Sequence, residues 1–154
     1  MRAWWKYTIL GFIAAVALIQ LVRPSRINPG EDPALTIHAR ASVDPAVSAI
    51  LKRSCNDCHS NLTVWPWYTE IAPVSWIIAS DVNRGREALN LSEWGNYSTE
   101  KKSDLLAEMC KEASDREMPG TPYTSLHAGT RLTDAEIQSV CSWTKLSTAR
   151  ARIQ

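Results

Sequence analysis

Two thiols and an imidazole stand within five residues of this 154-residue chain, in the stretch Ser54-Cys55-Asn56-Asp57-Cys58-His59-Ser60. No other feature restricts the fold as much, because the finished molecule must present all three groups to whatever they hold. The spacing Cys-x-x-Cys-His reads as an attachment site for c-type haem. On that reading Cys55 and Cys58 each form a thioether to a vinyl group along one edge of the porphyrin. His59 then lies under the ring and binds iron as the proximal ligand. A structural zinc site would want a second closely spaced ligand pair, and Cys110 and Cys141 are far apart in sequence. A thioredoxin-like redox pair would need a βαβ context, and an iron–sulfur cluster a different cysteine spacing. A plain Cys55–Cys58 disulfide is the simple alternative for an exported chain. The expected cofactor is one covalently attached haem c with its iron.

The opening of the chain bears on where such chemistry takes place. From Thr8 to Val22 every residue except Gln20 is apolar or small, and Trp4, Trp5 and Tyr7 extend the run to about bilayer length. Residues 1–22 are therefore expected to form a membrane anchor or signal segment. Arg2 and Lys6 precede the run, which favours an N-terminus in the cytoplasm. No small-residue cleavage site follows, which favours an uncleaved anchor. The expected location is a single-pass protein of a bacterial inner membrane with its C-terminal domain in the periplasm. Covalent haem attachment in bacteria is made outside the cytoplasm, so the two readings agree. Residues 23–42, with Pro24, Pro29, Gly30 and Pro33, read as a linker in which His38 is an ordinary exposed side chain.

Residues 43–147 carry the expected domain, and 148–154 a C-terminal tail. Asp44-Pro45 opens a helix with an N-cap acceptor followed by proline at the first helical position. Val47, Ile50 and Leu51 share its apolar face. A second helix is predicted over about 73–89, with Pro73 in its first turn and Gly85 weakening or ending it. A third starts near Ser98, carries the stripe Leu105, Leu106, Met109, Cys110 and Ala113, and stops near Met118. The last opens with a capping box, Thr133 and Glu136, and turns Ile137, Val140, Cys141 and Thr144 inward. No period-two strand is visible. The fold class is all-α, a small helical domain of cytochrome c-like kind behind an N-terminal transmembrane helix. Cys110 and Cys141 fall on the inner faces of two helices, either as a disulfide or as two buried thiols.

The order Met118-Pro119, a loop, then "LTDAEI" opening a final amphipathic helix resembles the C-terminal half of class I cytochromes c. That resemblance implies that the first and last helices pack together and that Met118 is the distal iron ligand. His127 is the competing ligand, and Met109, on an apolar stripe, reads as core. A second resemblance rests on "CNDCHSNLTVWPWYTEIAPVSWIIASDVNRGREALNLSEW". Its Cys-x-x-Cys-His-Ser, Trp-Pro-Trp-Tyr, Pro-Val-Ser-Trp and Asp-Val-x-x-Gly-Arg steps are similar to those of the bacterial haem-binding domain family. The likeness runs from about Val43 to Trp143 and implies the cofactor and an anchored domain, not a reaction. Trp65, Trp67, Tyr68 and Trp76 follow the motif closely and are candidates for walls or propionate donors around a haem. Arg84 and Arg86 are candidates for propionate pairing, because a guanidinium matches a carboxylate.

No nucleophile–base pair or second metal site stands out. The expected role is single-electron transfer to a redox partner protein on the periplasmic side of the membrane, by a carrier rather than a catalyst. A haem-based gas sensor, or a peroxidase-like enzyme with an open distal position, is the alternative. The net charge of +1 gives no field for nucleic acid and no hint of a partner.

Overall fold

The computed structural model describes residues 4–151, and all its regular structure is helical, with no strand among those residues. Eight α-helices run in the order α1 (Trp4–Ile19), α2 (Ile37–Arg40), α3 (Pro45–Ser54), α4 (Asn56–His59), α5 (Val74–Ala88), α6 (Thr99–Ser114), α7 (Thr121–Leu126) and α8 (Asp134–Ala151). Short 3-10 turns fill Trp67–Glu70 and Leu91–Asn96.

The end signals act as their chemistry dictates. Asp44 accepts a hydrogen bond from the Ala46 N–H at 2.8 Å, and Pro45 opens α3. Ser98 accepts from the Lys101 N–H and caps α6. Thr133 and Glu136 cap α8 reciprocally: Glu136 Oε2 accepts from the Thr133 N–H at 2.9 Å, and Thr133 Oγ1 accepts from the Glu136 N–H at 3.3 Å. The apolar faces meet in one core of Ile37, Val47, Ile50, Leu51, Leu91, Trp94, Leu105, Leu106, Ala113, Leu132, Val140 and Trp143. In it α6 packs along α8, α3 crosses α8, and α4 lies on α5. Arg53 of α3 pairs with Glu136 of α8 at 2.7 Å, and the Cys110–Cys141 disulfide joins α6 to α8.

Four expectations need correction. Among the described residues no helix is long and apolar enough to cross a membrane, so the transmembrane helix and the single-pass inner-membrane location are not upheld. The physical reason is where α1 stops. It has 16 residues, about 24 Å at the helical rise, against roughly 30 Å of bilayer hydrocarbon. Gln20 ends the run by exchanging two hydrogen bonds with the backbone of Ala72, at 3.1 and 2.9 Å, and the Trp76 indole N–H donates to the Val22 carbonyl at 2.7 Å. Arg2, which entered the orientation argument, lies outside the described residues.

The second helix runs over Val74–Ala88, as expected, with Gly85 inside it. The third helix stops at Ser114, four residues early. Arg116 takes a left-handed φ of 60°, and the N–H groups of Glu117 and Met118 both return to the Glu112 carbonyl, at 3.0 and 3.2 Å. Residues 23–42 also do more than link. Ile37 is fully buried in the core, and the stretch before it is pinned to the domain by Arg26 on the Thr69 carbonyl, Asn28 on the Thr63 carbonyl and the Gly30 carbonyl under Asn61. At the C-terminus α8 continues to Ala151, into the expected tail, and residues 152–154 of that tail lie outside the described residues.

Candidate functional site

A cavity of about 450 Å³ opens between α3 and α4 on one side, α6 on another, and the loop from Met118 to Gly120. Its volume is in the range of sites for cofactor-sized ligands, about 300–1,000 Å³. Leu51, Leu89, Leu91, Leu105, Met109, Leu132 and Val140 make its wall largely apolar, and Cys55, Cys58, His59 and Met118 all line it.

The tight turn between α3 and α4 sets the proximal side. Cys55 ends α3 and begins α4, and its carbonyl accepts from the N–H groups of Cys58 and His59. That one turn of helix brings both thiols and the imidazole to the same wall. Both thiols are free, while Cys110 and Cys141 are joined to each other. No further cysteine is left to complete a zinc or iron–sulfur site beside them. Burial, with Cys58 adding to it, pushes the Cys55 thiol up to about 12; burial and the neighbouring Asp57 push Cys58 up to about 11. Both therefore stand as neutral thiols at neutral pH.

His59 is held by its other nitrogen. Nδ1 lies 3.1 Å from the Leu89 carbonyl, which can only accept, so Nδ1 carries the proton and donates. The Nε2 lone pair remains for a metal, in the arrangement by which proteins fix the tautomer of a ligating histidine. Burial lowers the His59 pKa and keeps the ring neutral. Leu89 reaches this position because α5 lies against α4, and Gly85 makes that contact close. A Cβ at Gly85 would stand 2.5 Å from the Cys58 carbonyl oxygen.

The other sequence candidates lie elsewhere. Trp65, Tyr68, Trp76 and Arg86 are not among the residues that line the cavity. Arg86 clamps the loop behind α4, donating to the Ser60 carbonyl at 2.8 Å, to Thr63 Oγ1 at 2.7 Å and to Asn28 Oδ1 at 2.8 Å. The Trp65 indole N–H donates to the same Asn28 oxygen. Trp76 holds Val22, and Arg84 pairs with Asp81 on the exposed face of α5. Trp67 stands 75% exposed. Tyr68 bonds to His127, which does not line the cavity and whose two ring nitrogens are both engaged.

Residues not singled out from sequence complete the wall. Lys101, Glu108 and Glu112 of α6 add charge to it, and Tyr123 of α7 adds a phenol. The Tyr123 hydroxyl donates to Asp57 Oδ2 at 2.8 Å, and burial, reinforced by that bond, raises its pKa. The first three lie on the flank of a helix whose apolar stripe was already legible. Tyr123 carried no signal, because its partner is 66 residues away.

A wall of this kind suits a flat, largely apolar body that carries a metal, and a domain folded around it is a helical cofactor-binding domain. The family follows from comparison with known proteins. The family model described as the haem-binding domain matches residues 14–146, most of the chain, and the protein belongs to that family. Its cofactor is haem. No curated protein and no solved structure matches the chain. The residues present fit the group: an apolar cavity of suitable size, an imidazole with a free Nε2 lone pair, and a thioether sulfur at Met118.

Proposed function

We propose that the domain holds one haem covalently through Cys55 and Cys58, ligates its iron with His59 and Met118, and passes single electrons to a redox partner protein. The observation that carries this reading is the shared wall: two free thiols and a His59 Nε2 lone pair on one turn of helix, with Met118 lining the same cavity. Bound haem supplies a one-electron couple between ferric and ferrous iron, and a methionine opposite histidine raises its potential.

The chain's own part is to hold and to exclude. Leu89 fixes the His59 tautomer, and the leucines of α3 and α6 keep water from the ring. The bond from the Met118 N–H to the Glu112 carbonyl places its backbone at the end of a cavity wall. Met109 also lines the cavity, but it is packed against the core, which favours Met118 as ligand. His127 has neither nitrogen to spare. The Cys110–Cys141 disulfide supports folding in an oxidising environment, where thiols are joined to haem.

The test is the protein expressed with haem-attachment machinery. Haem that stays with the polypeptide under denaturing electrophoresis, and is lost in a Cys55→Ser/Cys58→Ser variant, establishes the covalent link. A low-spin spectrum with a weak far-red methionine–iron band, unchanged by carbon monoxide when reduced, establishes the electron carrier. A high-spin spectrum that carbon monoxide alters would sink it in favour of a gas sensor or peroxidase-like enzyme.

A further inference from the structure

Met118-Pro119-Gly120 leads directly into α7, a helix of six residues. A helix so short has little stability of its own, since isolated helices need roughly 12–15 residues to persist in water. Something else must hold this segment at the cavity mouth, and the side chains at its two ends supply it. At the near end the Tyr123 hydroxyl donates to Asp57 Oδ2 at 2.8 Å. Asp57 stands between the two thiols on α4 and is itself tied down, its Oδ1 accepting from the Val64 N–H at 3.2 Å and its carbonyl from Thr63 Oγ1 at 2.7 Å.

At the far end His127 closes α7. Its ring stacks on Tyr123, with centroids 4.1 Å apart and planes at 23°. Nδ1 lies 2.9 Å from the Tyr123 carbonyl, so Nδ1 carries the proton, and Nε2 accepts from the Tyr68 hydroxyl at 3.0 Å. The imidazole is therefore spent twice, once on its own helix and once on the 3-10 turn Trp67–Glu70.

We propose that Asp57, Tyr123, His127 and Tyr68 form a lock that holds the Met118 loop against the cavity, with His127 as a positioning residue and not an iron ligand. This rests on Met118 being the distal ligand. The lock ties that loop to the helix that carries His59, so the two sides of the iron are held to one another through the Tyr123–Asp57 hydrogen bond. Departure of Met118 from the iron requires the loop to lift, and lifting breaks bonds at both ends. The rate at which an external ligand replaces Met118 reads that motion directly.

The experiment uses the full-length ferric haem protein and imidazole as the probe, with stopped-flow binding rates and the far-red methionine–iron band as readouts. Tyr123→Phe and Tyr68→Phe each remove one hydroxyl and keep the ring, and Met118→Ala is the control. The expected result is a wild-type band that Met118→Ala abolishes, with imidazole binding faster by about tenfold in Tyr123→Phe. A smaller rise is expected in Tyr68→Phe, and His127→Leu should keep a low-spin methionine-ligated spectrum while binding faster than wild type. If the wild-type band is present and binding in both tyrosine variants stays within about twofold of wild type, the lock is refuted while the ligand assignment stands. If the wild-type protein has no such band, or Met118→Ala leaves the spectrum unchanged, the ligand assignment fails first and the lock with it. Should Tyr123→Phe fail to fold, Tyr68→Phe, away from the cavity wall, decides alone.

Discussion

A methyl group added at Gly85 would meet backbone, not a side chain that can swing away: the Cys58 carbonyl oxygen at 2.5 Å and its carbon at 3.1 Å. Replacing a mid-helix glycine by alanine ordinarily stabilises a helix by about 1 kcal/mol. Here the sign reverses, because α5 must move off α4. Gly85→Ala is expected to lower stability by about 1–3 kcal/mol and to reduce haem incorporation, read by thermal melting and by the haem-to-protein absorbance ratio. An unchanged melting curve would show that α4 can shift without loss. The two thiols give a second prediction. In the haem-free fold burial holds Cys55 near 12 and Cys58 near 11, against about 8.5 in an unfolded chain. Between those values the unfolded chain has lost protons that the folded one keeps. This share of stability is therefore whole below about pH 8.5 and falls as pH rises through about 11 and 12. Iodoacetamide should label Cys55 and Cys58 slowly at pH 8 in the native apoprotein and rapidly in urea, checked by mass spectrometry. At this scale the sequence disclosed what is consecutive and little more. Cys55, Cys58 and His59 meet because one helical turn separates them. Trp65 and Tyr68 are close to the motif in sequence but lie off the cavity wall in space, and nothing local shows that the one lone pair of His127 is taken by Tyr68.

At the scale of elements, long periodic helices were legible and short ones were not. The faces of α3, α6 and α8, the start of α6 near Ser98 and the caps at Asp44 and Thr133 were open to pattern reading, because ten or more residues repeat the same signal. Four- to six-residue helices such as α2 and α7 carry too few turns to show a period, and tertiary bonds hold them. The early end of α6 was hidden for a related reason. A left-handed Arg116 has no compositional mark, as a glycine there would. The α6–α8 pair is cross-linked with a separation of 31 residues, and the chain-entropy account assigns such a loop roughly 3–4 kcal/mol. The Cys110→Ala/Cys141→Ala variant is expected to unfold at correspondingly lower urea, followed by tryptophan fluorescence. An unmoved midpoint would mean that the helices hold each other without the bridge.

At the scale of the molecule, the boundary of the folding unit lies further upstream than residue 43. Ile37 sits in the core at 0% exposure, and the Leu35 carbonyl accepts from the Gly95 N–H at 2.7 Å where a Cβ on Gly95 would strike Leu35. The signal for this was weak, since prolines and a glycine read as linker while Ile37 is a single apolar residue without a period. Helix α1, by contrast, buries none of its side chains. Removing residues 1–19 is expected to leave the melting temperature nearly unchanged. Removing 1–42 gives up the burial of Ile37, about 1.5–3 kcal/mol, with the Asn28 and Gly30 contacts besides. Equal melting temperatures for the two truncated chains would overturn this boundary.

The disulfide between α6 and α8 also sets a problem of timing. Four cysteines can pair in three ways, and only one pairing leaves Cys110 with Cys141. Even in that arrangement the remaining two, free in the fold, are parted by only two residues, and the proposed attachment requires that they not close on each other. If haem is joined to Cys55 and Cys58 as proposed, a cell that matures this polypeptide has to oxidise one pair and keep the other reduced in the same molecule, until the porphyrin arrives and makes the choice permanent.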